Sequence, residues 1–263
     1  MVVGGSCPLT VTGVWTDLVA SDQRAARIVG WLFIGTFVFS IPGALLYGPI
    51  LHHHATYVLG GGHDTQIALG AFLEILTAIC GIGTAVALFP VVKRQSEALA
   101  LGYVAVRIVE STIIVAGIVA IMAVVTLRQD LAGTGANAGT LSIAARSLIA
   151  VKDWTFLLGP GFCAGLGNGL ILGYLMFRSG LVPRRWAQFA LFAGACAFIA
   201  ATGALLDVWD KQSTPQGILT FPEIVWEAFF GIYLVVKGFK TSSPILRRNA
   251  QPSVTASPAS TPG

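Results

Sequence analysis

Six long apolar stretches, at about 27–51, 67–92, 101–127, 155–177, 186–206 and 220–238, alternate along the chain with less apolar connections, of which 128–154 is long and rich in Gly and Ala. Each is long enough to carry a helix across a hydrocarbon layer about 30 Å thick at about 1.5 Å per residue. The second, third and fourth stand out most clearly by hydropathy, while the last is the shortest and carries two glutamates, Glu223 and Glu227. The pattern predicts an all-α membrane bundle of about six transmembrane helices over residues 27–240. A segment of residues 1–26 precedes it. Residues 241–263 are rich in Ser, Pro, Thr and Ala with nothing to bury, and are expected to be a disordered tail. Leu141–Val151 (LSIAARSLIAV) is expected to lie as a short amphipathic helix on the membrane interface.

Composition sharpens this picture. Hydrophobic residues make up 55% of the 263 positions and charged residues only 11%, with a mean hydropathy of +0.78. A soluble domain carries about a quarter charged side chains, so a water-facing fold of this size would lack the polar surface to cover itself. The net charge of +4 does not point to nucleic acid, because no basic cluster is interleaved with aromatics and the Lys and Arg flank the apolar stretches.

Those flanking charges predict an orientation. Arg24, Arg27, Lys93, Arg94, Arg178, Arg184, Arg185, Lys237, Lys240, Arg247 and Arg248 gather at one end, whereas the other has only Arg128, Arg146, Lys152 and Lys211. Short loops rich in Lys and Arg stay in the cytoplasm. Both termini are therefore expected inside, with residues 52–66, 128–154 and 207–219 outside. No basic segment precedes an early apolar run, so a cleaved signal peptide is not expected.

The spans carry a few ionisable groups: Glu74, Arg107, Glu110, Asp207, Glu223 and Glu227. A charged side chain at a helix centre costs about 2.5–3.5 kcal/mol to insert, so each of these needs a partner, water or a proton. Arg107 and Glu110 are three residues apart, on one helical face, and are expected to pair. Glu74 enters from the outer side and is expected to face Glu110 at middle depth. With Asp207 and Glu227 the expectation is an interior cluster of Glu74, Arg107, Glu110, Asp207 and Glu227 opening outward. Such groups serve either as a path for protons or small solutes, or as interhelical glue that sets helix register.

Glycines at 161, 165, 169 and 173 form a small-residue stripe on the fourth span, suited to close packing against a neighbouring helix; the Gly159-Pro160-Gly161 start and Asn168 also suit a broken transporter helix. His52, His53, His54 and His63 lie in the first outer connection and are weak candidates for metal capture, since three consecutive side chains do not converge on one ion in regular structure. With histidine confined to that connection and no lysine placed in a span, paired-histidine haem, a buried zinc hydrolase and a retinal Schiff base are not expected. Cys7, Cys80, Cys163 and Cys196 show no C-x-x-C spacing, and three of them fall within apolar stretches, so neither a zinc site nor a disulfide framework is expected. No nucleophile elbow or phosphate loop is present. No cofactor is expected.

The segments ARIVGWLFIGTF, FLEILTAICGIGTAVALF, the Arg107-Ile-Val-Glu110 pattern, GYLMFRSGLVPRRWAQFALFAGA and WEAFFGIYLVVKGF together resemble the bacterial DUF4386 family, over roughly residues 25–240. Most specific is the turn Ser179-Gly180-Leu181-Val182-Pro183-Arg184, which leads to Trp186 with an extra Arg185 interposed. Gly180 and Pro183 punctuate two helices, the arginines hold the turn in the cytoplasm and Trp186 anchors at the interface. The resemblance implies a multispanning protein of the bacterial inner membrane and supplies no activity.

Three readings of function follow. The leading one is a small-solute or proton path through the acidic and arginine cluster. The second is a structural or sensory component that binds lipid, another membrane protein or a second copy through the glycine-striped helix. The third is a carboxylate enzyme using Glu74 with Glu110 or Glu227.

Overall fold

The computed structural model describes residues 11–60, 62–131 and 138–247. They form α1 (Val11–Leu46), two short helices α2 (Gly48–His52) and α3 (His54–Gly60), α4 (Asp64–Val92), α5 (Glu97–Leu131) and α6 (Ala138–Phe156). The chain then runs without interruption through two π-helical stretches, π1 (Leu157–Cys163) and π2 (Gly165–Leu172), into α7 (Gly173–Ser179). After a tight turn come α8 (Arg184–Leu205), α9 (Thr214–Val236) and the short α10 (Pro244–Arg247). Six of these segments are long and apolar enough to cross a membrane: Ala20–Leu46, Asp64–Val92, Glu97–Asp130, Gly139–Ser179, Arg184–Leu205 and Thr214–Val236. An even number of crossings returns both described ends of the chain to one end of the bundle, here called the terminal end.

The six spans close into a ring. Helix α1 packs between α4 and α9, α4 leans on α5, α5 on α6 and the π stretch, the π stretch on α8, and α8 on α9. Small residues permit the closest approaches. A Cβ on Gly30 of α1 would stand 2.7 Å from the Gly231 carbonyl of α9, and one on Gly194 of α8 would stand 2.7 Å from the Gly165 carbonyl of π2. The buried side of α8 is accordingly built of Ala187, Ala190, Ala193, Gly194, Ala197, Ala200 and Ala201. Pro160 withholds a backbone N–H within π1, and the glycines around it resist α-helical closure, so the widened turn falls where helix propensity is lowest.

Large apolar side chains fill the ring in two blocks. Phe33, Leu88, Tyr103, Leu172, Trp226 and Phe230 close the terminal half, and Tyr47, Ile50, Ile67, Ile121 and Val124 close the far half. The outward faces carry Trp31, Leu45, Ile79, Val119, Phe192 and Ile232, all well exposed. That distribution suits hydrocarbon on the outside, where an apolar face costs nothing.

At the terminal end the chain folds back on itself. Gly180, at φ +66°, ends α7 in the left-handed conformation that glycine adopts without steric cost, and its N–H bonds the Met176 carbonyl at 3.0 Å. Lys240 N–H donates to the Leu181 carbonyl at 2.9 Å, Ser243 Oγ donates to the Ser179 carbonyl at 2.6 Å, and Ile245 and Leu246 are buried. The Gln23 side chain bonds both the carbonyl and the N–H of Phe239, at 2.8 and 3.0 Å. Residues 241–247, expected to begin a disordered tail, are thus folded against the Ser179–Pro183 turn. The rest of that expectation, from 248 onward, lies outside the described residues, as does Cys7.

The fourth span also differs from its expected limits. Leu141–Val151 is not a separate interfacial helix but the early part of one helix that runs from Ala138 into the span. Leu141, Ala145 and Ile149 are buried in the far-half core, on the side that packs against α3 and α5. Hydropathy misses this because Arg146, Lys152 and Asp153 lower the local average while lying on a helix held by its neighbours.

Candidate functional site

Half-way through the bundle, α5 turns Tyr103, Arg107 and Glu110 inward at three- and four-residue spacing, so that they share one helical face. Arg107 is 4% exposed, and its guanidinium reaches Glu110 Oε2 at 2.6 Å and the Gly81 carbonyl of α4 at 3.2 Å. Gly81 makes room for it, since a Cβ there would stand 2.9 Å from Arg107 Nη2. Opposite, Asn168 of π2 is a hub. Its Nδ2 donates to Glu227 Oε1 of α9 at 2.5 Å, its Oδ1 accepts from the Tyr103 hydroxyl at 3.1 Å, and its backbone carbonyl accepts from Trp226 Nε1 at 2.9 Å. Glu223, one turn from Glu227, is 4% exposed, and both of its carboxylate oxygens are buried without a hydrogen-bond partner. Arg107, Glu110, Glu223 and Glu227 all act on one another electrostatically. The layer therefore sets one guanidinium against three carboxyls.

A second polar layer lies nearer the far end. Glu74 of α4 receives Lys152 Nζ of α6 at 2.6 Å on each carboxylate oxygen, and the Tyr47 hydroxyl donates to its Oε2 at 3.0 Å. The ammonium sits 5.1 Å from the Tyr47 ring centroid, and both charged side chains are buried. This is a balanced pair. Glu74 is seven residues from Gly81 on α4, which separates the two layers by about 10 Å along the helix.

At the mouth of the far end, Asp64 accepts from Arg128, from Gln129 Nε2 at 2.9 Å and from the Tyr57 hydroxyl at 2.6 Å. Burial, followed by the bond to Asp64, holds the Tyr57 hydroxyl above the usual phenol range, so it remains a donor there. A depression between α6 and the α8–α9 connection is lined by Trp154, Asp207, Trp209, Asp210 and Lys211, with Lys211 Nζ 3.6 Å from the Trp154 ring centroid.

A family model described as "Domain of unknown function (DUF4386)" matches residues 28–238. The chain belongs to the DUF4386 family. No curated protein and no solved structure matches it. This DUF4386 chain is a multi-pass membrane protein, with lipid as the surroundings of its six apolar helices.

Against the expected cluster, the DUF4386 structure joins Arg107, Glu110 and Glu227, places Glu74 in the second layer, and leaves Asp207 exposed at the far end with φ +58°. Glu74 faces Lys152 rather than Glu110. By its charge Lys152 belongs to an outer connection, and the expectation that no span holds a lysine does not survive its burial inside Gly139–Ser179. Glu223 and Asn168 complete the central layer. Glu223 is visible in the sequence as an acid in an apolar stretch, whereas Asn168 shows there only as a polar residue of the glycine-rich fourth span, with nothing to name its partners.

Of the glycine stripe, Gly165, Gly169 and Gly173 pack on α8 at Ala197, Gly194 and Ala190, and Gly161 lies more loosely, since a Cβ there would still stand 3.9 Å from that of Ala201. Of the turn residues, Ser179 and Gly180 meet residues 240–246 together with Leu181, Pro183 caps the start of α8, Arg184 stacks over Phe177 at 4.5 Å, and Trp186 stacks on Phe229 with ring centroids 3.7 Å apart. His52, His53 and His63 are exposed, while the side chain of His54 lies outside the described set. Among the described residues no group of three or more His, Cys, Asp or Glu side chains converges as a metal site.

Proposed function

We propose that the protein passes protons across the membrane through its central polar layer. The observation that carries this reading is the charge imbalance of that layer, with Glu110, Glu223 and Glu227 gathered around Arg107 alone. Glue between helices calls for balanced pairs, as Glu74 and Lys152 form. An excess of buried carboxyls calls for a mobile positive charge, because each uncompensated carboxylate in the span costs several kcal/mol. The proton is the smallest such charge and needs no cavity.

Geometry suggests an order of groups. Asp64, Glu74 and the central layer descend α4 and α5 from the far end, with Tyr57, Tyr47 and Tyr103 interleaved as hydroxyl relays. Glu227, held by Asn168 and less buried than Glu110 or Glu223, stands next to Glu223 as the member of the layer through which a proton reaches it in this reading. The apolar block of Phe33, Leu172 and Phe230 seals the terminal half, so release on that side requires the block to part. The reading places this path in a bacterial inner membrane with both termini cytoplasmic, as the basic residues at the terminal end favour.

The alternative of a docking component loses its proposed face, because the glycine stripe is covered by α8 of the same chain. The deciding experiment is flux. Full-length protein in liposomes with an internal pH dye, under a potassium diffusion potential, should acidify or alkalinise the lumen faster than protein-free vesicles, and Glu227→Gln should lower that rate at least tenfold. A wild-type rate equal to that of empty vesicles removes the proposal.

A further inference from the structure

Glu110 and Glu227 are each committed to a donor, the first to Arg107 and the second to Asn168. Glu223 is not. Its two oxygens are fully enclosed and bond to nothing among the described residues. The groups around it leave no candidate to neutralise it. From α5 come Arg107, already held by Glu110 and the Gly81 carbonyl, and Glu110 itself; from its own helix comes Glu227, and π2 offers the amide of Asn168, already held by Glu227. Helix α8 presents only the backbone and small side chains around Gly194.

The surroundings are built to admit this carboxyl nonetheless. A Cβ on Gly169 would stand 2.6 Å from Glu223 Oε2 and 2.7 Å from Gly194 N. Two glycines on adjoining helices thus leave a notch at the crossing of π2, α8 and α9, and the carboxyl of Glu223 occupies it. Any side chain at Gly169 would expel the acid or part the helices.

We infer that Glu223 is the residue of the central layer that binds and releases a proton, held for that purpose in the Gly169–Gly194 notch. The inference rests on the proton-path reading and names its carrier. The step is a simple exchange. A proton arriving from water passes by way of the Glu227 carboxyl, one turn away, which gives it up and returns to carboxylate as the Glu223 carboxylate becomes a neutral acid, and release restores the Glu223 carboxylate. The charge of the layer, one guanidinium with three carboxyls, becomes less negative by one on loading.

Infrared difference spectroscopy on the full-length protein in lipid nanodiscs tests this, using exchange of water for heavy water at neutral pH. The wild type should show a carboxylic C=O band that shifts on deuteration. Glu223→Gln should abolish it, Glu227→Gln should retain it, and Glu223→Asp should retain it at a changed frequency. A band that survives Glu223→Gln overturns the inference. Should Glu223→Gln fail to give monodisperse protein, Glu223→Asp decides, and a band identical to that of the wild type then has the same force. The two proposals fail separately. If the band follows Glu223 while vesicles pass no protons, the path falls and the exchange site stands; if vesicles pass protons and the band ignores Glu223, the path stands with another carrier.

Discussion

At the scale of single residues, the two buried layers differ in how charge is met. Lys152 and Glu74 meet as equals, with Tyr47 completing the shell of the carboxylate. Removing one member of such a pair strands the other in a medium that cannot solvate it, at a cost of about 3–5 kcal/mol. Lys152→Met should therefore destabilise the protein strongly in detergent, as read by thermal unfolding, and Glu74→Gln should do likewise. The combination of both substitutions should cost clearly less than the sum of the two. An additive double variant would show that the pair does not interact. The Arg107–Glu110 pair is legible from the three-residue spacing, since a helix alone brings those positions together. The Lys152–Glu74 pair, 78 residues apart, is not, because it depends on where α6 begins and how far along α4 it lies.

At the scale of elements, glycine decides which helices touch. The π-helical stretch and α8 meet backbone to backbone, and a Cβ on Gly194 would lie 2.7 Å from both the Cα of Gly169 and the Gly165 carbonyl. Neither of those backbones can yield without the whole helix moving. Gly194→Val should thus cost about 1–3 kcal/mol as an overpacked contact, seen as a lower melting temperature. A Cβ added to Gly102 of α5 would meet no atom within 4 Å, so Gly102→Ala should leave the melting temperature unchanged or slightly raised. A Gly194→Val variant as stable as Gly102→Ala would mean that α8 sits elsewhere. The stripe at 161, 165, 169 and 173 announces close packing in the sequence, yet nothing in it names α8 as the partner. The amphipathic stretch Leu141–Val151 is legible as helix, but its continuity with the fourth span emerges only once α3 and α5 are seen to cover it.

At the scale of the whole molecule, the charges at the terminal end predict a testable orientation. With the native cysteines replaced by serine, a single cysteine at Lys211 should react with an impermeant maleimide added to intact cells, while one at Lys237 should react only after permeabilisation. The reverse pattern would place both termini outside and turn the proton path around with them. By itself the sequence determined that this is a helical membrane protein with six spans and a few costly interior charges, because a bilayer imposes its thickness and its intolerance of charge on any local segment. Which acids share a layer, that Asn168 joins Glu227 to Tyr103, and that Glu223 stands without a partner were decided by tertiary structure. Those relations depend on the depth and rotation of each helix against neighbours that close the ring, and one segment's pattern carries neither.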